Sequence, residues 1–175
     1  GIPLPRGRAL LFSSGYDKMV DIVIKRSYFP MELSEIVNQA EALDEKNAFA
    51  VYNHIESEFV EPDHAIFRLN IRPESKNPYG VVHGGAIYTM ADNATGYAAH
   101  TDGRCYVTQT SAMHFLRNQT RGLVRADAKV RHRGHATCLV DVDIIGEGGK
   151  LLATGEFTYF CIDPELMAKK AEEQH

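Results

Sequence analysis

Residues 83–99 read His83-Gly84-Gly85-Ala86-Ile87-Tyr88-Thr89-Met90-Ala91-Asp92-Asn93-Ala94-Thr95-Gly96-Tyr97-Ala98-Ala99, a helix-length apolar run that carries a single carboxylate. It has no charged face, so a helix here is buried on most of its sides. The chain beyond it is strand-like throughout, in segments at about 105–116, 122–132, 136–146 and 150–162, with Gly134 and Gly148-Gly149 where the last two hairpins should turn. Upstream, Asn77-Pro78-Tyr79-Gly80 has the composition of a turn, and residues 65–72 alternate Ala65, Phe67, Leu69, Ile71 against Ile66, Arg68, Asn70, Arg72, as a strand does. Further back, Leu33, Ile36, Val37, Ala40 and Leu43 recur at helical spacing, and a short helical or turn segment lies around Asn47 to His54. The order is helix, strand, buried helix, then four strands. One curled antiparallel sheet wrapped around the central helix, with an N-terminal helical segment, satisfies it, which is an α+β fold.

The chain has 175 residues, 44% hydrophobic and 24% charged, enough for one domain with a sizeable core and too well patterned for disorder. No apolar run reaches the ~18–20 residues that span a bilayer, so no membrane partner is expected. A net charge of −4 argues against a broad electrostatic grip on nucleic acid. The charge is uneven. Residues 1–30 carry five Lys/Arg against two Asp/Glu, the remainder 14 against 21. The apolar patches in 1–30 are too short and interrupted for a secretory signal, and the better pattern begins at Met31. We therefore expect residues 1–30 to be a loosely packed leader, appended or from an early start codon, and 31–175 to be the single domain, with a docking arm as the alternative for 1–30. Cys105, Cys138 and Cys161 are odd in number and widely spaced, without a CxxC. They read as small core residues in a reducing cytoplasm rather than as a disulfide framework or catalytic thiols.

Asp92 stands seven residues after Gly85. Seven helical steps return to within ~20° of the same face and rise ~10 Å. Gly85 and Asp92 therefore look out along one side of the helix. The N–H groups at a helix start have no intrahelical acceptor and favour negative charge, and glycine lets a ligand approach the backbone. Such an end suits a carbonyl oxygen gaining charge, while a carboxylate on the same face acts as general base on water or as nucleophile. The plain alternatives are a tight Gly-Gly turn and a hydrogen-bonded structural Asp; the two features on one face of an apolar helix favour the chemical reading. His132 and His135 beside Gly134 lack a third metal ligand, so no metal or other cofactor is expected. Tyr88, Met90, Tyr97 and Phe115 are candidates for lining a pocket, though such residues are more often plain core.

Asn77-Pro78-Tyr79-Gly80-Val81-Val82-His83-Gly84-Gly85 with Asp92-Asn93-Ala94-Thr95-Gly96-Tyr97-Ala98, and then Phe115-Leu116-Arg117 with Gly122 shortly after, resembles the PaaI-like (phenylacetate-pathway type) branch of the hotdog-fold acyl-CoA thioesterases, over about residues 47–162. The resemblance implies a hotdog fold, a homodimer or dimer of dimers with shared sites, and hydrolysis of an acyl-CoA thioester. It also implies roles: Asp92 as base or nucleophile, the Gly85 N–H on the thioester carbonyl, Asn77 and His83 arranging water and carbonyl, and Gly84 beside the substrate. A hydroxyl on the next strand holds the lytic water, for which Thr108 is the best match, with Thr110 and Ser111 competing. Arg117, Arg131 and Arg133 are candidates for the CoA phosphates, against the plain reading of a solvated hairpin tip. Two positions depart from the pattern: Asn118, where proline is usual, and Gly96, where a related branch has threonine. Rival readings are a hydratase or dehydratase on the same fold and a non-catalytic acyl-CoA-binding or regulatory module.

Overall fold

The computed structural model describes residues 32–163, so the expected leader, 1–30, lies outside the described residues. Helix α1 (Leu33–Lys46) opens with a capping box in which Glu35 accepts the Glu32 N–H at 2.9 Å. Helix α2 (Ala48–Tyr52) is capped by Asn47, whose Oδ1 accepts the Ala50 N–H at 3.1 Å. Strands β1 (Ile55–Glu61) and β2 (His64–Asn70) form a hairpin, with Asp63 at φ 62° in its turn. Helix α3 (Gly84–His100) is the apolar run, and β3 (Cys105–Phe115), β4 (Leu123–Arg133), β5 (Thr137–Ile145) and β6 (Leu151–Ile162) complete the fold.

The six strands make one antiparallel sheet in the order β1-β2-β4-β5-β6-β3, curled around α3. This is the expected α+β architecture with one strand more. Strand β1 escapes a period-2 reading because a bulge at Glu58 breaks its alternation, and Ile55 is its one fully buried side chain.

The inner face of the sheet brings Phe67, Leu69, Val124, Val140, Val142, Ile144 and Phe157 against Ile87, Met90, Ala91, Ala94 and Ala98 of α3, all buried. Alanines at the contact (Ala65, Ala126 and Ala128 facing Ala91, Ala94 and Ala98) let the helix lie close to the sheet, where each buried large side chain contributes ~1.5–3 kcal/mol. Phe67 meets Tyr97 edge to face at 4.7 Å between ring centroids. The outer face is polar and laced with exposed ion pairs, Arg68–Glu56, Arg125–Glu58 and Arg131 with Asp141 and Glu156, each worth little in solvent.

The C-terminal end of α3 is fastened by buried charge. Arg133, 6% exposed, donates to the carbonyls of Ala98 and Ala99, to Asp63 and to the Tyr106 hydroxyl, and pairs with Asp102 at 2.9 Å. A cation on the last carbonyls of a helix offsets the negative end of its dipole. Burial alone would raise the Asp102 carboxyl, but the Arg104 N–H and guanidinium, the Arg133 charge and the Tyr106 hydroxyl outweigh it and hold Asp102 below the usual range. The expectation that Arg133 meets a CoA phosphate therefore does not hold. A bulge at Arg131, between Val130 and His132, shifts the alternation of β4 by one, so Arg133 faces inward beside Cys138 rather than out at a hairpin tip.

Candidate active site

The approach to α3 is a small rigid loop. The Asn77 side-chain Oδ1 accepts the N–H groups of Tyr79 (3.0 Å) and Val81 (3.4 Å), and the Gly80 N–H returns to the Asn77 carbonyl at 2.9 Å. Gly80 sits at φ +78°, a conformation that suits glycine. The loop is tied down by the Val82 N–H to the Gln119 carbonyl (2.9 Å) and by the His83 N–H to the Ser75 carbonyl (2.8 Å). Asn77 thus shapes the loop that presents His83, Gly84 and Gly85, and its Oδ1 is spent on that task.

His83 caps α3, its Nδ1 accepting the Gly85 N–H at 2.8 Å. The donor expected to meet a carbonyl is engaged by a side chain, and that side chain is exposed. A Cβ at position 85 would stand 2.9 Å from that Nδ1, so Gly85 makes the cap possible. At Gly84 a Cβ would lie 3.6 Å from the Phe115 ring, which brings β3 to the helix start.

From there α3 and β3 run side by side, and their side chains meet at successive turns. Gly84 faces Phe115, the Tyr88 hydroxyl bonds the Ser111 hydroxyl, and Asp92 Oδ1 accepts from Thr108 Oγ1 at 3.1 Å. Thr108 and Ser111 are three residues apart yet share a face because β3 bulges at Gln109. Of the three competing hydroxyls, the structure brings Thr108 to Asp92 and engages Ser111 with Tyr88. Asp92 is half-buried. Burial pushes its carboxyl above the ordinary value, and the Thr108 hydrogen bond pulls part of the way back.

Two side chains behind Asp92, Tyr159 and Thr95, are not singled out by sequence reasoning. Tyr159 of β6 donates its hydroxyl proton to the Asp92 carbonyl at 3.1 Å and lies 2.7 Å from Thr95 Oγ1. A tyrosine in a strand carries no signal of this; only the β3–β6 register, which sets Thr108 opposite Tyr159, reveals it. Among the pocket candidates, Met90 and Tyr97 are core, the latter donating to Asp44 at 2.8 Å, while Tyr88 and Phe115 are exposed beside Asp92 and Gly84.

The arginines do not gather. Arg117 is exposed just past β3, with a donor to the Leu151 carbonyl at 3.1 Å, Arg131 lies on the outer sheet face, and Arg133 is buried at the far end of α3. Cys138 is buried, its thiol pushed up to about 11, and Cys105 and Cys161 are half-buried free thiols. Among the described residues no three His, Cys, Asp or Glu side chains come together as metal ligands, and no helix is long and apolar enough to cross a membrane.

Comparison with known proteins places the fold. The Thioesterase superfamily profile matches residues 79–153, which include Gly85, Asp92 and Thr108 and begin two residues after Asn77. The acyl-coenzyme A thioesterase PaaI of Escherichia coli (strain K12) is 29% identical over 115 residues, 65% of this chain and 82% of that protein. The solved structure of the E. coli PaaI protein from the phenylacetic acid degradation operon superposes with a TM-score of 0.71 at 27% identity, covering 75% of this chain and 97% of its own. The 1,4-dihydroxy-2-naphthoyl-CoA hydrolase of Listeria monocytogenes is 30% identical over 108 residues, 59% of this chain and 87% of that one. A hypothetical thioesterase from Streptococcus pneumoniae, solved with coenzyme A, matches with a TM-score of 0.59 and 28% identity over 62% of this chain and 85% of that one.

Proposed function

Because the chain belongs to the thioesterase superfamily, in its PaaI-like hotdog branch, we propose that its substrate is an acyl-CoA thioester and that Asp92 is the general base. The observation that carries this is a half-buried carboxylate, raised by desolvation, with the Thr108 hydroxyl on one oxygen. A base needs a proton affinity nearer the working pH than an exposed aspartate has, and a hydroxyl at its side helps seat a water. The water loses its proton to Asp92 as it attacks the thioester carbon. The carbonyl oxygen, gaining charge, takes the Gly85 N–H in place of His83 Nδ1, and CoA leaves as the thiolate. Phe115 and Tyr88, exposed between the two groups, flank the acyl group.

The reading includes a homodimer, or a dimer of dimers, with sites shared between chains. Gly85 and Asp92 lie ~10 Å apart along one helix, a long reach for one carbonyl group. Strand β3 is the outermost strand of the sheet on the side that carries the site, with exposed Val107 and Phe115. A second β3 paired to it about a two-fold axis continues the sheet and covers that edge. It also sets the helix start of one chain near Asp92 of the other. Arg117, exposed where β3 ends, is the cation left to meet a CoA phosphate. Three free thiols fit a cytoplasmic setting.

The test is thiol release from a panel of short, aromatic and long-chain acyl-CoAs. Asp92→Asn should bind the best substrate as wild type does and turn it over ~10²-fold or more slowly. Near-normal turnover in Asp92→Asn overturns the mechanism. Substrate binding without thiol release by the wild type overturns the activity. Single-turnover hydrolysis in ¹⁸O-water should label the released acid and leave Asp92 unlabelled; label in Asp92 would make it the nucleophile instead.

A further inference from the structure

The sheet has two open edges. Strand β3 forms one, the edge given to a second chain in the proposed dimer. Strand β1 forms the other, with β2 on one side and, among the described residues, no strand on its other side. A free edge leaves a row of backbone N–H and C=O groups unpaired, which folded proteins commonly cover or blunt. A groove of about 450 Å³ runs here, lined by five consecutive residues of β1, Ser57 to Glu61, and by Leu33, Val37 and Ala40 of α1. Successive strand residues point to opposite faces, so five in a row line one groove only where it lies along the strand's edge. Val60 packs toward the core, while the Phe59 ring meets the His64 ring at 5.2 Å between centroids.

The helix side of this groove is apolar and uncovered. Ile36 and Ala40 are buried and seat α1 on the core. Leu33 and Val37, one turn apart, form a second apolar stripe, 55% and 38% exposed, and Phe59 of β1 is 40% exposed. An unpaired strand edge beside an apolar stripe suits an extended segment added as a further strand. Main-chain hydrogen bonds then supply affinity, and the stripe receives alternate side chains.

The chain itself contains a segment of that kind. Val20-Asp21-Ile22-Val23-Ile24 is rich in β-branched residues, and Lys25-Arg26 follow it. It belongs to residues 1–30, outside the described residues, and the described chain leads into Leu33, which lines the groove. Residues 25–32 reach up to ~26 Å when extended, and a five-residue strand is only ~17 Å long, so the segment can fold back along β1. Charge agrees with this occupant. Strand β1 carries Glu56, Glu58 and Glu61 and no cation of its own; Arg68, Arg125 and His64 meet them from β2 and β4, and Glu35 stands in the first turn of α1. Residues 1–30 carry five Lys/Arg against two Asp/Glu. A second copy pairing β1 with β1 would instead bring two sets of these glutamates together, which like-charge repulsion disfavours. We propose that residues 20–24 dock in the α1–β1 groove of their own chain, as a strand added beside β1. The N-terminal segment is then a docking arm that closes the sheet edge opposite β3, rather than a loosely packed leader.

The test is residue-resolved amide hydrogen exchange on the full chain, residues 1–175. The β1 amides that are not given to β2 point to the open edge. They should exchange ~10-fold or more slowly than in a variant carrying Ile22→Pro and Val23→Pro together, whose adjacent prolines remove the donor on whichever side of the segment faces β1. Val37→Glu, which puts a charge in the groove and leaves the segment unaltered, should speed the same amides. Equal rates in the wild type and the proline variant, or rates unmoved by Val37→Glu, overturn the proposal. Should a variant fail to fold, carbodiimide cross-linking of the unaltered chain decides: Lys18 or Lys25, which flank the segment, should join Glu56, Glu58 or Glu61 within one chain. A chain in which neither lysine links to β1 overturns the proposal. With ¹⁴N- and ¹⁵N-labelled chains unfolded and refolded together, links that carry both isotopes would put the arm on a second copy and overturn it as well. None of these readouts depends on thioester hydrolysis.

Discussion

If each site is assembled from two chains, two dead proteins should make a live one. Asn77→Ala removes the carboxamide that accepts the Tyr79 and Val81 N–H groups and so loosens the loop that presents Gly85. Asp92→Ala removes the proposed base. The geometry favours sharing. Seven residues at ~1.5 Å rise put Gly85 and Asp92 ~10 Å apart in one chain. A carbonyl oxygen on the Gly85 N–H and a direct attack on the adjoining carbon each need contacts of only ~3 Å, and a single water barely bridges what is left. Unfolded together in equal amounts and refolded, the two variants pair at random, and half of the dimers are mixed. A mixed dimer has one site with both lesions and one with neither. About a quarter of wild-type activity should therefore return, where each variant alone gives next to none. The assay is initial-rate thiol release, with mixed dimers counted by native mass spectrometry of differently tagged chains. Mixed dimers at the expected abundance with no recovered activity would refute the shared site, because every site would then keep one lesion.

The same contacts set the outcome of other perturbations. Arg133→Met takes the guanidinium from Asp63 and leaves Asp102 with Arg104 alone, and should lower the melting temperature by ~10 °C or more, as expected for ~3–5 kcal/mol lost from a broken buried pair; a shift of a degree or two would show that the network contributes little. Asp102, depressed in the folded state, stabilises the protein above its unfolded pKa of ~3.9 and loses that contribution as pH falls through its lower folded value, so Asp102→Asn should flatten the acid unfolding curve. Asp92 has the opposite sign. Its folded pKa is raised, so stability falls as pH climbs from ~3.9 through the folded value, and Asp92→Asn should melt higher than wild type near neutrality, with the gain fading below about pH 4. Equal melting temperatures at neutral pH would contradict that sign. Thr108→Ala should move the acid limb of kcat upward, since the bond that favours the ionised carboxylate is gone; a downward shift would contradict it.

The central helix, its glycine start, its carboxylate and the four strands after it are legible in the sequence because each depends on local periodicity and turn chemistry. Most of what escapes the sequence has one physical cause, the β-bulge, which adds a residue to one strand and reverses the faces beyond it. The bulge at Glu58 hides β1, whose apolar residues no longer alternate. The bulge at Gln109 turns Thr108 and Ser111 toward α3 together, so which of Thr108, Thr110 and Ser111 meets Asp92 is read only from the strand's position against the helix. The bulge at Arg131 sends Arg133 into the core, where a period-2 count places it outside among the candidates for a CoA phosphate. His83 is legible as a neighbour of the site and not as the present occupant of the Gly85 N–H, because a cap depends on a side-chain rotamer. Tyr159 is illegible for a different reason: its contact with the Asp92 carbonyl depends on the packing and register of a strand distant from Asp92 in sequence.

Helix α3 is held differently at its two ends, and the difference bears on where chemistry sits. At its C-terminus the last carbonyls are closed by Arg133, itself fixed by Asp63 from the β1–β2 turn, Asp102 and Tyr106, so that end is knit to the sheet by buried charge. At its N-terminus the first donors meet a single exposed imidazole on a loop that supplies its own hydrogen bonds. An incoming oxygen can compete with a solvent-exposed cap, whereas displacing Arg133 would break its buried pair with Asp102 and its bonds to the last carbonyls of the helix. Asp92 lies between, over the edge strand β3, where one side of the helix lacks a full covering of sheet. The closed end anchors the helix and Tyr159 bonds the Asp92 carbonyl from β6, while the open end and the open edge are left to the proposed substrate and the proposed second chain. The fold can keep a half-buried, partly destabilising carboxylate at this position because the opposite end of the same helix is so firmly closed.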